Sequence, residues 1–115
     1  MIEQTLYDYL VDALDEVAPV YMMRPETPPA KYVLLMKTGG SKTEHLYTDT
    51  FALQSIAPTL FEAVTLDDQV REAMDAAADN LEGQVTRARL TNCYDFTNPT
   101  TKQPRYQSVY EINHY

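Results

Sequence analysis

The residues of this 115-residue chain whose types could do chemistry are few: two histidines, one cysteine, an adjacent carboxylate pair and a glycine-rich tetrad. His45 and His114 would serve as metal ligands or general bases, but neither stands at a ligand spacing such as His-x-x-x-His, and both read as structural. Cys93 has no adjacent base to lower its thiol pKa, so it reads as a small packing residue rather than a nucleophile. As the only cysteine it forms neither an intrachain disulfide nor a cysteine-based zinc site, which suits a reducing compartment. Asp67 and Asp68 are neighbours on a helical stretch and point about 100 degrees apart, so they read as a solvated helix face rather than a shared acid–base pair. Gly39-Gly40-Ser41-Lys42 lacks the Gly-x-x-x-x-Gly-Lys-Ser/Thr spacing of a phosphate loop and stands between two strand-like stretches instead of before a helix. These residues predict no enzyme, no cofactor and no metal. A hydrolase would need His45 or His114 to converge with Asp or Ser residues distant in sequence.

The elements that would have to position such residues are legible from periodicity. Ile2, Leu6, Leu10, Ala13, Leu14 and Val17 form one helical stripe, ending before Pro19. Leu60, Ala63, Val64, Val70, Met74, Ala77 and Leu81 form a second. That helix opens on a Thr59-x-x-Glu62 capping box and is expected to close at Gly83 as a left-handed cap. Between and after the helices the period shortens to two. A short strand is expected around Val20-Tyr21-Met22, then a hairpin of Lys31 to Thr38 and Glu44 to Ile56 turning at Gly39-Gly40-Ser41-Lys42. A second pair, Gln84 to Tyr94 and Arg105 to Tyr115, is joined by the polar loop from Thr97 to Pro104, expected to be exposed and mobile until assembly orders it. In the last strand Tyr106, Ser108, Tyr110, Ile112 and His114 alternate with Arg105, Gln107, Val109, Glu111 and Asn113, one face for a helix and one for solvent or a neighbour. Met23 to Ala30 holds three prolines and reads as a stiff extended connector. The predicted fold is one α+β domain over residues 1–115, an antiparallel sheet of about four main strands with two helices on one face.

Charge is unevenly distributed within a net −8. Residues 1–16 carry five carboxylates and no base, residues 58–82 carry seven against Arg71 alone, and the remainder has eight bases to five acids. This balance disfavours gripping nucleic acid phosphates over the whole surface. The longest apolar run, Val33 to Met36, is far too short to span a bilayer, and Met1 to Gln4 does not open like a signal peptide, so no membrane contact and a cytoplasmic origin are expected.

Nine tyrosines with no tryptophan suit surfaces that are exposed in a monomer and buried in an assembly, although Tyr7, Tyr32 and Tyr106 are expected to pack the sheet. The opening from Met1 to Leu10, the stretch Val20 to Glu26, the segment Tyr32 to Ser41 and the ending Arg105 to Tyr115 together resemble small proteins of Firmicutes phages and prophages. These are the tail-completion or head-tail joining proteins of long-tailed phages, the tail-terminator group, and the resemblance runs over essentially the whole chain. It implies an α+β subunit of a ring, six-membered in that group, at the head-proximal end of the tail tube. Such a ring stops tube polymerisation and joins tail to head. The implied partners are other copies of the chain, the tail tube protein, the head completion or connector protein, and genome DNA passing through the lumen without specific binding. The implied location is the virion, after assembly in the host bacterial cytoplasm.

Interface residues follow from the chain's own chemistry. Tyr21, Met22, Met23 and Arg24 form an apolar, arginine-bearing strip leading into the proline connector. Gly39, Gly40 and Lys42 are expected to project from the sheet edge, and Lys102 and Arg105 to meet the acidic helix face of a neighbour. The competing reading is a soluble, non-catalytic ligand-binding or regulatory α+β domain.

Overall fold

The structure, a computed structural model, describes residues 1–115. Helix α1 spans Ile2–Ala13, followed by β1 (Val20–Tyr21), β2 (Tyr32–Thr43), β3 (Leu46–Ile56), α2 (Leu60–Asp75), a short α3 (Ala77–Asn80), β4 (Val85–Asp95) and β5 (Arg105–His114). The five strands form one sheet in the order β1-β2-β3-β5-β4. The fold is α+β as expected, with a correction to the sheet: β1 runs parallel to β2, through Val20 opposite Val33 and Tyr21 opposite Leu34, so the sheet is mixed. The other three pairings are antiparallel.

Both main helices cover the same face. Leu6, Leu10 and Leu14 from the first helical stretch and Leu66, Val70 and Met74 from α2 bury themselves against Val33, Leu35, Phe51, Leu53, Tyr110 and Ile112 of the sheet. Each such side chain, taken fully out of water, contributes about 1.5–3 kcal/mol before conformational entropy is set against it. The helix layers are also pinned together by polar groups, since the Tyr9 hydroxyl donates to the Ala73 carbonyl at 2.7 Å and accepts from Asn80 Nδ2 at 3.1 Å.

Thr59 caps α2 as its sequence signature requires, its hydroxyl accepting from the Glu62 amide at 3.2 Å. The expectation of one helix running on to Gly83 needs correction. The helix breaks at Ala76, and α3 ends at Asn80. Gly83 does take the left-handed conformation, φ +86°, but in the turn that delivers the chain to β4.

The hairpin is also corrected. Gly39, Gly40, Ser41 and Lys42 lie within β2, each paired with β3, and the reversal falls at Glu44-His45 with Thr43 opposite Leu46. Glu44 supplies the positive φ, 56°, that a two-residue reversal needs. A bulge at Thr38 shifts the register between Lys37 and Gly39. Gly40 is required for packing: a Cβ there would sit 2.1 Å from Asp49 Oδ1.

Candidate functional site

Two polar clusters sit under the helices, and both were missed from the sequence because their members are far apart in it. Asp67 is fully buried, which corrects its reading as a solvated residue; Asp68 beside it is exposed. The α2 face carrying Asp67 packs on β5, where the Ser108 hydroxyl donates to Asp67 Oδ1. Arg71, one turn on, donates from Nε to Asp67 Oδ2 at 2.8 Å and from Nη2 to Asp68. Burial pushes the Asp67 carboxyl above its ordinary value against the pull of Ser108 and Arg71. Farther along the same face, Tyr110 donates to Asp75 Oδ1 at 2.7 Å, and burial, with that carboxylate, drives its phenol well above the usual range.

The second cluster joins β2, β3 and β5. His114 is buried, with Nε2 2.6 Å from Asp49 Oδ2, Nδ1 3.1 Å from the Tyr115 carbonyl, and its ring stacked on Tyr47 at 5.3 Å. Lys37 adds an ion pair to Asp49 Oδ1 at 3.3 Å. His114 thus meets a distant Asp, the convergence a hydrolase would need, but both ring nitrogens are engaged and no serine, threonine or cysteine hydrogen-bonds to either. His45 lies exposed in the hairpin turn. Cys93 is half-buried and unbonded to another cysteine. No group of three or more His, Cys, Asp or Glu side chains is arranged to hold a metal ion, and no helix is long and apolar enough to cross a membrane.

The residues expected at an interface fall at two places. Tyr21, Met22, Met23 and Arg24 leave β1 at the edge of the sheet. Tyr21 is half-buried, its ring edge-on to Tyr32 at 6.0 Å, while Met22, Met23 and Arg24 are exposed, Met23 to 82%. Gly39, Gly40 and Lys42 are exposed in the distal half of β2, whose outer edge has no strand beyond it because β1 pairs only with Val33 and Leu34. Lys42 stands 5.0 Å from the centre of the Tyr47 ring.

Lys102 and Arg105 close the loop between β4 and β5. That loop carries an organised turn: Asn98 Oδ1 accepts from the amides of Thr100 and Thr101, and the Lys102 amide donates to the Asn98 carbonyl at 2.8 Å. Lys102 takes a left-handed φ of 61°. Asp95 fixes the loop's start by accepting from the Thr97 hydroxyl and amide, bonds that hold its carboxyl below the ordinary value. Arg105 is half-buried, and its Nη1 donates to Gln54 Oε1 at 3.0 Å. The chain of bonds continues across the face away from the helices: Gln54 donates to Gln107 at 2.8 Å, and Gln107 donates to the Tyr94 hydroxyl at 2.6 Å. Arg105 is therefore anchored within its own subunit, a partner that sequence reasoning did not anticipate.

No protein-family model and no curated protein matches the sequence. Among solved structures, the fold is similar to that of a chain in the virion of a native gene transfer agent particle, with a TM-score of 0.65 and 16% identity over 98% of this chain and 90% of that one.

Proposed function

We propose that the chain is a structural subunit of a phage-type virion that forms a ring at the head-proximal end of the tail tube, ends tube polymerisation and joins tail to head. The observation that carries this reading is the whole-length fold likeness to a virion chain, which leaves no large part of either chain unaccounted for. Two features of the surface support it. Met22, Met23 and Arg24 project at one sheet edge, where a monomer has no use for exposed methionines. The net charge of −8 is compatible with a subunit past which genome DNA moves without being held. A ring needs a heterologous contact, one patch meeting a different one on the next copy, and the acidic helices and mildly basic remainder supply unlike patches. The partners on this reading are further copies of the chain, the tail tube protein and the head connector.

The test is the mass of the purified chain in solution over a concentration series, followed by negative-stain imaging with purified tail tubes. Closed rings of one size that collect at tube ends are expected. A monomer at every concentration that leaves tube ends bare contradicts the proposal.

A further inference from the structure

A cleft of about 520 Å³ opens between the proline connector and the β4–β5 loop, with Arg24, Tyr32, Asn98, Thr101, Gln103 and Arg105 as its polar lining and Pro28, Pro29 and Pro58 among its walls. Two arginines and no acidic residue line it, in a chain where acids outnumber bases seventeen to nine. Neither arginine is neutralised elsewhere, because the ion pairs of the structure use Lys37, Arg71, Arg89 and His114. Arg105 spends one N–H on Gln54, and its Nε is buried with no acceptor. The other polar groups are largely committed: Asn98 Oδ1 accepts within its own loop, and the Gln103 amide donates to the Ala57 carbonyl at 2.9 Å. What the cleft has left to offer is planar, charged N–H donors that suit a carboxylate.

The opposite excess lies at the end of α1. Asp12, Asp15 and Glu16 are exposed within five residues, no base precedes Arg24 in the sequence, and none of the three takes part in an ion pair. On α2, Asp67 and Asp68 already have Arg71 and Asp75 accepts from Tyr110, which leaves Glu62 and Glu72 ten residues apart, whereas the three acids at the end of α1 stand together.

We propose that the Arg24–Arg105 cleft is a carboxylate-binding site whose occupant is the Asp12–Glu16 segment of a second copy of this chain. The inference rests on the ring reading above and names the contact that closes the ring. Prolines in the walls keep the cleft open before binding, which limits the ordering cost of association. The contact joins two different patches, the cleft of one copy and the end of α1 of the next, so in a closed ring each copy uses one of each.

The test compares sedimentation of the full-length chain with that of Arg24→Glu, of the double variant Asp12→Lys/Asp15→Lys, and of an equimolar mixture of the two. All substituted positions are exposed, so folding is retained and is checked by circular dichroism. The expected result is that each variant alone needs about tenfold or more protein to associate, that the mixture regains assembly, and that wild-type association weakens as salt rises. Association of Arg24→Glu equal to wild type overturns the inference while leaving tube-end binding, read separately by imaging, intact. Failure of the mixture to assemble, or Arg24-dependent retention of a DNA oligonucleotide by the wild type in place of self-association, overturns it as well. Loss of tube-end binding by a wild-type chain that still self-associates through Arg24 contradicts the joining role and not the contact.

Discussion

The two faces of the sheet are built on different rules. Beneath the helices, Val33, Leu35, Phe51, Leu53, Tyr110 and Ile112 are almost completely shielded, and the polar groups there are held across elements, Asp67 by Ser108 as well as by Arg71 of its own helix, and Tyr110 by Asp75. On the other face Tyr32, Leu34 and Ile56 make a small apolar patch, and beside it Arg105, Gln54, Gln107 and Tyr94 hydrogen-bond in a line across three strands. The first face fixes the fold by excluding water. The second keeps its shape through polar side chains that satisfy one another, Gln54 and Gln107 buried in the middle of the line and Arg105 and Tyr94 half-buried at its ends.

The largest effect should come from the covered face. Phe51→Ala removes a fully buried ring between β2 and β5 and is expected to lower stability by about 3–5 kcal/mol, measured by chemical denaturation. A loss near that of an exposed residue would mean that the helices do not seal this face.

Gln107→Ala cuts the line of amides on the face away from the helices. A loss of about 1–3 kcal/mol is expected, because Gln54 is buried and is left without its acceptor. A loss as large as that of Phe51→Ala would erase the distinction between the faces.

How much of this was legible in sequence depended on the range of the interactions. The Thr59 cap, the alternation along β5 and most of the two stripes are local patterns that the structure carries, although Ala13 and Leu60 are exposed and α2 buries Leu66 and Asp67 in addition to Ala63, Val70 and Met74. Gly39 and Gly40 pulled the expected turn toward themselves, because turn propensity is a local signal while their pairing with Thr50 and Asp49 is decided by the partner strand. The burial of Asp67 depends on Ser108, 41 positions away, and the engagement of His114 on Asp49, 65 positions away, so no spacing rule reaches either. The exposed strip from Met22 to Arg24 was legible for a different reason: an arginine between methionine and proline has no helical or strand period to bury it.

The smallest expected effect is a pH trend. Because the folded-state pKa of Asp67 is raised, its contribution to stability is fully present below the ordinary value of 3.8 and is lost as pH rises through its folded value. Asp67→Asn should therefore gain stability relative to wild type as pH increases across that range, followed as the difference between their denaturation midpoints. A difference that stays flat or moves the other way would show that Ser108 and Arg71 outweigh burial at this site.

The central claim, that the chain ends tail tubes, is tested most directly by tube elongation. Tail tube protein polymerising from preformed seeds should stop extending when this chain is added, with one ring at each blocked end in electron micrographs. Tubes that lengthen at the same rate with and without it, their ends undecorated, would contradict the account.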